Sequence, residues 1–282
     1  MYTKNKIVFI ETAMQCVFFK SLYPNTKCVD ICFIKRKKWP QNISLFMKYF
    51  QKHNTISISI VNALFFLIKK NKKYNHIIVG SHLGVGNRLL ICLGIFFNYE
   101  ITVLDDGLYS VFSKRWMNII AKFTKKLRWA SYYNRNSKKN FILNYCIISN
   151  KKKYSYKNSY FFILSDMAGK GISKERETHI LKKIKKYADD DDKKFILIPH
   201  RRGRHELYRK LKLEILISDE ICFEDWYLKS TFAKNCRIFS SGSSVWQIFE
   251  DKRLKTSLID SGEGSINWIK KNCYVDQYIN LN

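Results

Sequence analysis

Three short stretches carry side chains that could do chemistry. "TVLDDG" sets Asp105 and Asp106 beside Gly107 directly after an apolar run. A carboxylate there could take a proton from a hydroxyl, and like-charge repulsion between two so close keeps one of their pKa values raised. "FILIPHRRGRHE" puts His200 after another apolar run, followed by Arg201, Arg202 and Arg204. Guanidiniums suit phosphate, and a bound phosphate would favour the charged imidazole that the arginines alone disfavour. "CRIFSSGSSVWQIFE" delivers Ser240, Ser241, Ser243 and Ser244 around Gly242 just before an amphipathic helix. Hydroxyls, free backbone N–H groups and the positive end of a helix dipole together make an anion site.

Each stretch also has a plainer reading. Alone, the D-D-G triplet fits a strand-to-helix turn in which Asp106 caps the next helix. His200 with its arginines fits a basic surface turn. A serine N-cap explains one serine of the third stretch but not four. Further polar groups stand after other apolar runs: Glu11, Thr12 and Gln15 in "FIETAMQC", and Asn87 or Arg88 in "GSHLGVGNR". The latter lacks both the third glycine of a dinucleotide fingerprint and the Lys-Ser/Thr ending of a P-loop. No zinc-helix motif and no nucleophile elbow is present, so neither a metal nor a cofactor is expected.

What must position these groups is a set of short apolar runs, rich in β-formers, alternating with more polar stretches of helical character. They are Ile7–Ile10, Cys28–Phe33, Thr55–Ile60, His76–Gly80, Glu100–Leu104, Phe161–Ser165, Phe195–Pro199, Glu214–Ile217, Arg237–Ser240 and Thr256–Ile259. Continuously apolar strands separated by helices predict an α/β protein with parallel sheets covered on both faces. The chemistry-bearing residues then all follow strand carboxyl ends, the edge at which open α/β sheets bind ligands. A polar, basic segment, Asn134–Tyr160, separates five predicted strands from five more. It places the boundary of two Rossmann-like domains near residue 160, giving domains 1–160 and 161–282.

The composition sets further limits. With 46% hydrophobic and 15% aromatic residues in a chain of 282, a sizeable core is assured. The 51 Lys+Arg against 23 Asp+Glu give a net charge of +28, which suits an anionic partner but is also what AT-rich coding would produce. The lysines are dispersed and no recognition motif appears, so nucleic acid is not the expected partner. The eight cysteines form no C-x-x-C pair and read as reduced. The apolar run before Glu11 is too short for a signal peptide, and Ala63–Ile68 and Leu89–Phe97 fall short of the ~20 residues of a membrane span. A cytoplasmic protein is expected.

Taken in order, Asp105-Asp106-Gly107, His200 and Ser243-Ser244 resemble the D/E-D/E-G, His-Pro and Ser-Ser motifs of bacterial sialyltransferases and polysialyltransferases. One departure is that proline precedes His200 and arginine follows it. "ETAMQ" is similar, more loosely, to the polar turn after the first strand in those enzymes. The resemblance implies a GT-B fold, two Rossmann-like domains facing a central cleft. It also implies metal-independent, inverting transfer of sialic acid or a related nonulosonic acid from a CMP-activated donor to a hydroxyl of a bacterial surface glycan. In that reading Asp105 is the base and Asp106 orients it or contacts the acceptor, while His200 assists the departing phosphate. Gly107, Arg201, Arg202, Ser243 and Ser244 serve the donor; Glu11, Gln15 and Asn87 serve a glycan or lipid-linked acceptor. The role fits capsule or lipopolysaccharide assembly and peripheral attachment to the inner face of the membrane, with "KRKK" (35–38) and residues 114–129 as basic contacts. The rivals are a GT-B glycosyltransferase with another nucleotide-sugar donor, and a basic nucleic-acid-binding protein.

Overall fold

The strand runs assemble into parallel sheets because each carries β-branched or aromatic residues on both faces. A computed structural model describes residues 5–23, 29–35, 50, 54–104, 114–131, 140–142, 154–200, 203–216, 223–242, 246, 254–262, 266–273 and 275–281. The chain divides into two compact units, Met1–Ile148 with Glu220–Asp225, and Ser149–Asp219 with Trp226–Asn282.

In the first unit, β1 (Lys6–Ile10), β2 (Val29–Ile34), β3 (Asn54–Ile58), β4 (His76–Val79), β5 (Glu100–Leu104), β6 (Leu127–Ser131) and β7 (Asn140–Ile142) form one parallel sheet. Its order is β3-β2-β1-β4-β5-β6-β7. Alternation along β1 sends Ile7 and Phe9 into one core and Val8 and Ile10 into the other. The first core is covered by α2 (Ile60–Lys69), α3 (Val85–Phe96) and α4 (Lys114–Phe123), the second by α1 (Ala13–Leu22). Ser59 starts α2 by accepting from Asn62 N–H at 3.2 Å, and Ala63 and Leu67, one turn apart, form its buried stripe.

Asp30 of β2 ties this sheet to the turn before β4. It accepts from Lys73 Nζ at 2.5 Å, from Asn54 Nδ2 at 3.2 Å and from the Tyr74 hydroxyl. Burial pushes its carboxyl up, but these three donors outweigh burial and hold it below the ordinary carboxylate range. The folded-state pKa is therefore depressed, so the stabilisation is present above the unfolded value and is lost as pH falls through the folded one. Asp30→Asn should cost about 1–2 kcal/mol at neutral pH in urea titrations, and the difference from the parent should close on acidification.

The second unit holds β9 (Ser159–Ile163), β10 (Lys194–Ile198), β12 (Arg237–Ser240), β13 (Lys255–Asp260) and β14 (Gln277–Asn280), all parallel in the order β10-β9-β12-β13-β14. A separate pair, β8 (Tyr154–Tyr156) with β11 (Ser230–Phe232), explains why the segment after 148 goes with this unit. Its rings, Tyr156 and Phe232, pack with Phe161 of β9 and with Trp226 of α7 (Phe223–Leu228). The opposite core is closed by α5 (Lys174–Asp190) and α6 (His205–Lys210) against Phe162, Leu197 and Phe239. α8 (Ile266–Asn272) connects β13 to β14.

The α/β class with parallel sheets is as the sequence predicts. The strand inventory needs correction. β6, β7, β8, β11 and β14 are additional to the predicted runs, and Glu214–Ile217 contributes only an isolated bridge between Ile215 and Leu197. β6 and β7 carry the sheet of the first unit onward, and β7 lies within the basic segment whose pattern suggests a mere connection.

Candidate functional site

In both sheets the described polar residues singled out from the sequence follow the carboxyl ends of strands, the edge at which open α/β sheets bind ligands. In the first unit, adjacent β1, β4 and β5 end at Ile10, Val79 and Leu104, about 4.8 Å apart from one strand to the next. Gln15 is fully buried there. Its side-chain oxygen accepts from Glu11 N–H at 2.7 Å and Thr12 N–H at 3.3 Å, and Thr12 Oγ1 accepts from Gln15 N–H at 3.3 Å. This capping box opens α1. Gln15 lies against the exit of β4, where a Cβ on Gly80 would fall 2.0 Å from Gln15 Oε1. That position admits only glycine without moving a buried side chain.

The next turn leads into α3 through Gly84, which caps it without a side chain. Asn87 sits in the first turn, 1% exposed, and among the described residues neither its Oδ1 nor its Nδ2 has a hydrogen-bond partner; nor does Gln15 Nε2. Two buried amides with unused hydrogen-bonding groups follow neighbouring strand ends. Arg88, considered with Asn87 as a substrate contact, is structural: its Nε donates to His82 O at 3.1 Å and its guanidinium lies 5.3 Å from the centre of the Trp116 ring. Asp105, Asp106 and Gly107 lie outside the described residues.

In the second unit, β9, β10 and β12 end side by side, and three turns meet. His200 follows β10, with Nδ1 3.9 Å from Asp166 Oδ1 just beyond β9. The same oxygen accepts from Gly169 N–H at 3.0 Å, which fixes the carboxylate. At 3.9 Å the His200–Asp166 pair is an electrostatic contact longer than a hydrogen bond. Ser241, after β12, donates from Oγ to Ser165 Oγ at 3.1 Å, and Lys170 Nζ holds Gly242 O at 2.6 Å. Ser240 turns inward, donating to Ile163 O at 3.2 Å. The turn entering the second serine pair is thus pinned to the turn beside His200. Ser243 and Ser244 themselves, and Arg201 and Arg202, lie outside the described residues.

The Arg204 guanidinium is engaged within its own unit. It donates to the Glu177 carboxylate and, at 2.8 Å, to Ile172 O. Tyr208 Oη donates to the other Glu177 oxygen at 2.6 Å and accepts from Arg204 N–H at 3.0 Å. Burial, then the bonded Glu177, push the Tyr208 hydroxyl far up, so it remains a proton donor. Gly203 is needed in this turn, because a Cβ would meet Tyr208 Oη at 2.6 Å and His200 O at 2.9 Å. The network fixes the backbone that carries His200.

Asp166, Ser165 and Lys170 stand at this candidate site, and the motif reading does not find them. A signal for them exists: "FILSDMAGK" ends a strand in Ser165-Asp166 just as "FILIPH" ends one in His200.

No family model matches the chain, and no curated protein is significantly similar to it. Solved structures are similar in fold. The Methanocaldococcus jannaschii UDP-GlcNAc 2-epimerase in complex with UDP-GlcNAc and UDP superposes with a TM-score of 0.59 at 12% identity, covering 98% of this chain and 89% of that one. The S. aureus MnaA–UDP structure gives a TM-score of 0.60 at 11% identity over 90% of this chain and 79% of that one. The Neisseria meningitidis UDP-GlcNAc 2-epimerase bound to UDP-GlcNAc gives 0.54 at 11%, over 86% and 79%. The fold is therefore of the GT-B type, shared with these UDP-GlcNAc 2-epimerase structures.

Proposed function

We propose that the chain is a nucleotide-sugar-dependent glycosyltransferase whose second unit binds the nucleotide phosphate and whose first unit presents the acceptor. The observation that carries this reading is the meeting of Asp166–His200 with the Ser241–Gly242 turn at one sheet edge. A fixed carboxylate behind an imidazole, next to a serine turn, suits a phosphate that gains charge as its bond to the sugar breaks. Asp105 or Asp106 takes the proton of the acceptor hydroxyl, the hydroxyl oxygen bonds to the anomeric carbon, and the nucleotide leaves with the bonding electrons. His200, Arg201 and Arg202 neutralise it, and Gln15 and Asn87 offer unused amide groups to the hydroxyls of a sugar.

A uridine-diphosphate sugar is the donor we favour, because the structures similar in fold are named for UDP and UDP-GlcNAc. The second reading, a CMP-activated nonulosonic acid, rests on the order of Asp105-Asp106-Gly107, His200 and Ser243-Ser244. Calorimetry with UDP, UDP-GlcNAc, CMP and CMP-sialic acid separates them, followed by assays for release of UDP or CMP with mixed glycan acceptors. Binding and release of UDP supports the first reading, and of CMP the second. Conversion of UDP-GlcNAc to its 2-epimer without transfer would replace transferase by epimerase. If all four ligands fail to bind, the nucleotide-sugar reading is wrong.

A further inference from the structure

Helices α2, α3 and α4 lie side by side over one core of the first unit. Gly86 of α3 approaches Ile60 of α2 so closely that a Cβ would fall 2.2 Å from Ile60 Cγ1, and Arg88 of α3 rests over Trp116 of α4. Helices facing only water on their outer side carry mainly polar residues there. These expose Asn62, Lys69, Asn118 and Lys122, but set large apolar side chains beside them. Along α3 the exposed positions Val85, Leu89, Cys92 and Phe96 follow a four-three-four spacing, a single stripe. Its neighbours add Phe65 from α2 and Phe123 from α4. Phe65, Phe96 and Phe123 are 67%, 80% and 73% exposed.

Charge is distributed to match. Crossover helices run opposite to the parallel strands they join, so the carboxyl ends of all three reach the amino edge of the sheet. Lys126, just past α4, donates to Asn98 O at 3.0 Å just past α3, which joins two of those ends. Exposed Lys69, Lys70, Lys72, Lys122 and Lys125 gather at this end. Of the carboxylates there, Asp30 is bonded to Lys73, and Glu100 lies 3.9 Å from His76. Between residues 31 and 99 the chain has no Asp or Glu, and residues 1–148 hold 24 Lys+Arg against 5 Asp+Glu, a net +19 of the total +28.

We propose that the outer face of α2, α3 and α4 docks on an anionic lipid bilayer, with the three phenylalanines entering the acyl boundary and the lysines lying among the headgroups. Apolar insertion and basic attraction are the two signals that together give stable peripheral attachment. Charge decides against a second copy as the occupant, since it would set +19 against +19. The surface does not depend on which reaction the chain carries out.

Flotation with vesicles tests it without any activity assay. At physiological salt the protein should float with vesicles of one-third phosphatidylglycerol in phosphatidylcholine and not with phosphatidylcholine alone. Phe65→Ser/Phe96→Ser/Phe123→Ser should weaken retention at least about tenfold with the thermal midpoint unchanged. Lys69→Gln/Lys122→Gln/Lys125→Gln should also weaken retention and flatten its salt dependence. Retention of the serine variant equal to the parent's, or equal retention on neutral vesicles, would overturn the proposal. So would a dimer in sedimentation equilibrium that the serine variant converts to monomer, which would assign the face to self-association.

Discussion

Replacing Arg204 by methionine is expected to destabilise the second unit by about 3 kcal/mol at pH 7.5. The alkyl stem is conserved, so the loss is electrostatic. The Glu177 side chain is only 1% exposed, and Arg204, itself 27% exposed, is its cationic partner. Without the guanidinium, Glu177 keeps, among the described residues, the bond from Tyr208 and remains a buried carboxylate. Glu177→Gln/Arg204→Met should recover more than half of the loss, because no unpaired charge stays buried. Urea titrations of the four proteins of this cycle measure the loss and the recovery. Additive losses would show that the pair is not coupled.

The second large effect concerns turnover. His200→Ala should lower kcat by about 10²–10⁴, the range for a proton-transferring or charge-stabilising side chain. Asp166→Asn keeps the oxygen that accepts from Gly169 N–H, so the turn and the fold should be retained. What it removes is the negative charge 3.9 Å from His200 Nδ1. Loss of that charge removes the anionic support of the imidazole, so kcat should fall about tenfold while binding of the nucleotide-sugar is retained. A purely structural Asp166 would leave kcat unchanged. Unaltered turnover in His200→Ala would remove His200 from the reaction.

Much of this is legible in the chain because the central strands are its most apolar runs. β5 and β12 coincide with their predicted spans, Glu100–Leu104 and Arg237–Ser240, since buried strands read as unbroken β-formers. The strands that escape lie at or next to a sheet edge or in the small pair. β14 is "QYIN" and β6 is "LRWAS", where one face meets water or a charged neighbour and polar residues intrude. His200 and the first serines stand out because they follow apolar runs. Asp166 does not, because a strand drawn as ending at Ser165 attracts attention to its core rather than to its exit. Arg204 illustrates a different limit. An arginine in a basic run looks the same whether it meets a phosphate or a buried glutamate 27 residues earlier, and only the fold brings Glu177 to it.

The order of strands in the second sheet bears on how the protein is made. The first sheet is complete once Ile142 has been synthesised, so it can form while translation continues. β9, by contrast, is central in its sheet: β10 pairs along one side of it, but its other side waits for β12, which begins at Arg237. At ~5–20 residues per second the intervening stretch takes roughly 4–15 s to emerge, and throughout it β9 offers Phe161 and Phe162 along an open edge. The second unit is thus the part of the nascent chain most exposed to mispairing, and ribosome pauses placed between residues 163 and 237 should prolong that exposure.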